Sequence, residues 1–155
     1  MTKIKKFKLG PLQKLWLKNL KGHPERQTSD VLGSREVNSN SSKYMACCLG
    51  ELHVCHARLH KKKLPFIDDQ IMDDTSDSNL ARSFEKYGLR GNSGACKVPV
   101  EVEFVPIYAR DVFDDKKPKL KRFASLAIMN DNGVPWKQIA KIIQADPENF
   151  FTKSV

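Results

Sequence analysis

Apolar residues recur along this chain with two different periods, and toward the C-terminus the helical period is the clearer one. From Lys119 onward, Leu120, Phe123, Ala124, Ala127 and Ile128 fall at i, i+3, i+4, i+7 and i+8, the spacing of one helical face. Asn130-Asp131-Asn132-Gly133 then marks a stop, because Asn and Gly accept the left-handed backbone that a C-terminal cap needs. Pro135 suits the first turn of a second helix, and Trp136, Ile139, Ala140 and Ile143 resume the period. The pattern predicts two amphipathic helices joined by a tight turn, with Trp136, Ile139 and Ile143 packed on Phe123 and Ala127. Further upstream, Leu12, Leu15, Trp16 and Leu20 predict a helix opened by Pro11 and stopped at Gly22, with Trp16 in the core. Cys48, Leu52, Cys55 and Leu59 share one face of a helical stretch within Tyr44–Leu59, while His53, His56 and His60 line the neighbouring face and are expected to be exposed. Leu80, Phe84 and Tyr87 predict another helix, capped by Asp77 or Ser78 and closed by Gly88.

The shorter period appears at Val98–Val105, where valines alternate with polar residues as on a half-buried strand; Pro99 puts it at a strand start or an edge. The polar run from His23 to Ser42 is rich in turn residues and reads as a strand or hairpin bounded by loops. Asp146-Pro147 predicts a last short turn that returns Phe150 and Phe151 to the core. The expected fold is α+β: a basic arm over residues 1–10, then a single globular domain over 11–155. In it, helices pack on a short antiparallel sheet and the chain ends in a helix-turn-helix-like hairpin.

Composition narrows the class. With 155 residues, 40% hydrophobic and 29% charged, the chain has material for one core. No apolar run approaches the roughly 20 residues of a membrane helix, and the basic N-terminus lacks the apolar h-region of a signal peptide. Cys47, Cys48, Cys55 and Cys96 are therefore expected as reduced thiols in a cytosolic protein. The net charge of +9 is unevenly spread. Lys3, Lys5, Lys6 and Lys8 cluster at the start; Lys116, Lys117, Lys119, Lys121 and Arg122 form a second run, Lys61–Lys63 a third. The first two runs are the candidate contacts for phosphates or an acidic protein face; the alternative is a solvated surface.

Recognised chemistries fit poorly. A zinc site from Cys47, Cys55, His56 and Cys96 lacks a paired CxxC, and adjacent cysteines on a helix point about 100° apart. The aspartate-rich stretch after Ile67 lacks the EF-hand order, and Gly91–Lys97 lacks that of a P-loop. A thiol nucleophile at Cys47 or Cys48, with a nearby histidine as base, is the one catalytic arrangement the residues suggest. No metal or cofactor is expected.

Two segments carry a resemblance. Cys47-Cys48-Leu49-Gly50, preceded by Tyr44 and by Trp16 and Leu20, is similar to the CCLG signature of a family of small bacteriophage-encoded proteins of unassigned function. Its C-terminal NDxG…IAxxI segment is matched by Asn130, Asp131, Gly133, Trp136, Ile139 and Ala140. Residues 61–118 lie outside the match, the His53–His60 stretch is more basic than the family's, and Pro135 stands where a Ser or Thr cap is usual. The resemblance implies a phage origin and an α+β fold, and it brings no catalytic residue. The expectation is a non-catalytic accessory protein in the cytoplasm of the infected host cell. It would bind a host component, a host protein or a phosphate-bearing ligand, in host takeover or anti-defence. The alternative is a nucleic-acid-binding protein contacting phosphates through its basic clusters.

Overall fold

The computed structural model describes residues 6–35, 43–71, 83–91, 93–108 and 117–155. Helix α1 (Pro11–Gly22) starts with one half of a capping box: the buried Gln13 side chain accepts from the Gly10 N–H at 2.8 Å. The helix runs through Gly22 and stops at His23, not at the glycine, because His23 precedes Pro24 and proline disfavours helical backbone before it. A 3-10 turn, Pro24–Arg26, leads to β1 (Gly33–Arg35), the centre of a small antiparallel sheet. Its neighbours are β2 (Tyr44–Ala46) and β3 (Gln70–Ile71).

Helix α2 (Cys48–Leu59) begins only after Tyr44–Ala46, which pair with β1 instead of extending the helix. The CCLG segment is its N-terminus. Cys47 is the N-cap, with its Sγ accepting from the Gly50 N–H at 3.4 Å, and its own N–H donates to the Leu32 carbonyl at 3.0 Å. That carbonyl crosses the helix so closely that a Cβ on Gly50 would lie 1.7 Å from the Leu32 oxygen. Glycine at position 50 is a steric requirement of this crossing. Cys48, Leu52 and Cys55 are buried as expected, whereas Leu59 is 40% exposed.

Helix α3 (Ser83–Lys86) ends at Gly88, whose φ of 85° allows the Leu89 N–H to reach back to the Phe84 carbonyl. Asp77, Ser78 and Leu80, the expected start of that helix, lie outside the described residues. Strand β4 (Ala95–Phe104) pairs antiparallel with β5 (Lys119–Ser125). The pairing is irregular between Ala95 and Val100, where Pro99 sits, and the Asn149 amide bonds both the N–H and the C=O of Val98.

Strand β5 corrects the sequence reading of Lys119–Ile128 as one helix. Phe123 and Ser125 are buried and Arg122 and Ala124 exposed, so the burial alternates as on a strand; Leu120, expected in the core, is 65% exposed. Phe123 instead meets Phe104 across the ribbon at 5.6 Å. Only Leu126–Asp131 is helical (α4), with Ser125 as N-cap. The turn after it is the expected one: Gly133, at φ 82°, donates to the Asn130 carbonyl, and Val134 donates to the Met129 carbonyl.

Helix α5 (Trp136–Ala145) buries Trp136, Ile139, Ala140 and Ile143 and packs on α1 as well as on α4. After a 3-10 turn at Pro147–Asn149, Phe150 and Phe151 enter the core, with Phe151 edge-on to Trp16 at 6.2 Å. Residues 6–10 of the expected arm belong to the fold: Phe7 stacks on Phe151 at 6.0 Å and Leu9 packs on the core. The described residues thus contain five helices and two small antiparallel sheets, a small α+β domain. None of these helices is long and apolar enough to cross a membrane.

Candidate functional site: a basic groove beside the small sheet

Of the nine nominated cations six lie among the described residues, on two separate segments. Lys3, Lys5 and Lys116 lie outside the described residues. Lys6 and Lys8 are exposed on the N-terminal segment, while Lys117, Lys121 and Arg122 are exposed and Lys119 half-buried at β5. Strand register sets Arg122 opposite Glu101, and the Lys121 amine donates to Asn132 Oδ1 at 3.1 Å. The ribbon therefore carries alternating charge, less basic than the run of lysines suggests.

The motif residues Trp16, Cys47, Cys48, Leu49, Gly50, Asn130, Gly133, Trp136, Ile139 and Ala140 are buried, and Asp131 is half-buried. Asn130, expected as part of a cap, is a fully buried junction. Its Oδ1 accepts from the Cys48 N–H at 3.1 Å and from the Trp136 indole N–H at 3.0 Å, and its Nδ2 donates to the Thr28 carbonyl at 2.7 Å. Gln27 completes the junction, accepting from the Trp136 backbone N–H and donating to the Val134 carbonyl, both at 2.7 Å. The CCLG and NDxG segments are thus joined through one amide.

The thiols are shielded. Burial raises the Cys47 pKa to about 11 and the buried Cys48 thiol well above its usual value, so both stay protonated at neutral pH. His53 and His56 are half-buried, not exposed as expected, while His60 is exposed: His53 lies against Phe84 at 4.7 Å, with the Tyr87 hydroxyl 2.9 Å from Nδ1. Among the described residues no group of three or more His, Cys, Asp or Glu is placed to hold a metal ion.

The arrangement with ligand-binding geometry was not among the sequence candidates. A cleft of about 500 Å³ opens between the Pro24–Arg26 turn, β1 and β2. Arg26, Arg35 and Lys43 line it, with Glu25 as the opposing charge and Ser34, Tyr44 and Met45 completing the wall. Arg26 lies over the Tyr44 ring at 4.7 Å and donates to the Tyr44 hydroxyl at 3.0 Å. Tyr44 in turn donates to the buried Glu51 carboxylate at 2.6 Å, and Asn19 Nδ2 donates to the same carboxylate at 2.9 Å. Burial, reinforced by the Glu51 charge and this hydrogen bond, pushes the Tyr44 pKa well up and keeps its hydroxyl a donor. Arg35 lies over the Phe66 ring at 4.9 Å, anchored by Nε to Asp69 Oδ1 at 2.8 Å. Met45 contributes an exposed apolar side chain.

Sequence reasoning missed this site for a physical reason. Arg26, Arg35 and Lys43 are isolated cations in a polar stretch, and only the β1–β2 pairing sets Arg35 opposite Tyr44. A second cavity of about 390 Å³, lined by Leu32, Cys47, Leu49 and Ile71 with Asp30 and Asp131, lies on the other side of Gly33 and is acidic. No protein-family profile, curated protein or solved structure matches the chain.

Proposed function

We propose that this chain is a non-catalytic binding protein that engages its partner through the groove at Arg26, Arg35 and Lys43. The observation that carries the reading is the preorganisation of the groove: two guanidiniums lie over aromatic rings at 4.7 and 4.9 Å, each held by a hydrogen bond, in a cleft of small-ligand size. Elevated thiol pKa values at Cys47 and Cys48 support binding over nucleophilic chemistry. The likeness to phage-encoded CCLG proteins adds the setting, an accessory protein in the infected cell whose partner is a host component, in takeover or anti-defence. The second reading, nucleic-acid binding, draws on the exposed Lys121 and Arg122 on β5 and Lys117 just before it, and such binding would fall steeply with salt.

Affinity capture from infected-cell lysate, with and without nuclease, separates the two. The groove reading expects a nuclease-resistant partner that is retained by the wild type and lost by Ser34→Trp, which fills the cleft, at matched melting temperature. Retention of nucleic acid alone, reduced by Lys121→Glu and untouched by Ser34→Trp, would install the second reading.

A further inference from the structure

Resting on that reading of the groove, we infer that its ligand is a phosphate-bearing small molecule, held by Arg26 and Arg35 with Lys43 at the rim. A guanidinium carries five N–H donors in a planar fork. In Arg35 the Nε edge is committed to Asp69, and in Arg26 the Nη1 atom is committed to the Tyr44 hydroxyl, with Glu51 Oε1 3.8 Å away. Each arginine is thus anchored by a hydrogen bond while its guanidinium carbon sits over a ring. Both residues line the same cleft, and each keeps N–H donors beyond its anchoring bond. This is the arrangement that binds a tetrahedral oxyanion at low entropic cost, because neither long side chain must be ordered on binding.

The lining itself holds Arg26, Arg35 and Lys43 against Glu25, and this favours an anion at the cleft; Asp69 and Glu51, which pair with the two guanidiniums, stand outside the lining and offset part of their charge. Both arginine side chains are largely withdrawn from water, with 17% and 33% of their surface exposed, so an incoming anion is screened less than on an open surface. Met45, 41% exposed on the same wall, supplies apolar contact for the body of an organic phosphate. The cleft volume lies within the range of small-molecule sites. Glu51 acts as a positioning residue. It touches no ligand, and it fixes Arg26 through the Tyr44 hydroxyl.

Calorimetric titration of the full chain with adenosine 5′-monophosphate, inorganic phosphate and hexaglutamate tests the inference. Adenosine 5′-monophosphate should bind saturably, inorganic phosphate more weakly, and hexaglutamate least. Arg35→Gln should weaken the nucleotide by roughly tenfold or more, the scale of one lost charge-assisted hydrogen bond. Lys43→Glu, an exposed position whose change leaves the fold intact, should also weaken it, and Lys121→Gln should not. Failure of both phosphate probes to saturate, hexaglutamate binding as tightly as the nucleotide, or equal affinity in Lys43→Glu overturns the inference. If Ser34→Trp still abolishes partner capture in that case, the groove reading stands without the phosphate. If Ser34→Trp captures normally, the groove reading itself falls.

Discussion

Asn130 joins distant parts of this chain through one side chain. Its amide ties α4 to the start of α2 and to Trp136 of α5, and reaches Thr28 beyond the 3-10 turn. An alanine there strands a buried indole N–H, a backbone N–H and a carbonyl, each worth about 1–3 kcal/mol when left unpaired. Asn130→Ala should therefore cost about 3 kcal/mol or more in denaturant unfolding. Asn132→Ala, two residues on, removes two exposed bonds, the one to the Ile128 carbonyl and the one from the Lys121 amine, and should cost under about 1 kcal/mol. Equal losses at the two positions would return Asn130 to the role of an ordinary cap. Gly133 is a matter of backbone: its φ is 82°, and a Cβ would lie 3.2 Å from the Ile107 nitrogen. Gly133→Ala should cost roughly 1 kcal/mol or more, read as a lowered denaturation midpoint at unchanged slope.

At the scale of elements, the β4–β5 ribbon is where a helical pattern and a strand make opposite demands. If Lys119–Ser125 were helical, Leu120 would be a core position and its loss would cost about 2–5 kcal/mol. On the strand it faces water opposite Glu103, so Leu120→Thr should change stability by less than about 0.5 kcal/mol. Phe123→Ala, which empties the contact with Phe104, should cost about 3–5 kcal/mol. Thermal unfolding of the two variants side by side measures the register directly. The spacing of Phe123, Ala124 and Ala127 was read as helical because i+3 and i+4 steps also arise when a strand runs straight into a helix. A six-residue helix preceded by an alternating strand leaves the same marks in one sequence. The helices α1 and α5, whose stripes are longer and bounded by proline, were legible without ambiguity.

Across the whole molecule, buried polar groups couple stability to pH and tie the ends of the chain. His53 is held neutral between Phe84 and Tyr87. Burial first, then the charges of Lys86 and His56, pushes its pKa down to about 4 from an ordinary 6.5. Between those values the unfolded chain binds the extra proton. The contribution of the neutral imidazole is thus complete above pH 6.5 and is lost as pH falls toward 4, by roughly 2–3 kcal/mol. Melting temperature should drop more over that window in the wild type than in His53→Gln, and parallel profiles would refute the assignment. At the termini, the Leu12 N–H donates to the Val155 carbonyl at 3.0 Å and Gln13 Nε2 donates to the Lys153 carbonyl at 2.8 Å. Deleting residues 153–155 should accordingly lower the melting temperature by loosening the start of α1. The sequence by itself determined the amphipathic helices α1 and α5, the glycine stops at Gly88 and Gly133, the return of Phe150 and Phe151, and the α+β class, because periodicity and turn chemistry are local. Tertiary structure alone decided that Lys119–Ser125 is a strand, that Gly50 must clear the Leu32 carbonyl, and that Arg26, Arg35 and Lys43 share a groove. Those outcomes depend on which segments meet, and pairing over long sequence separation leaves no periodic trace in either partner.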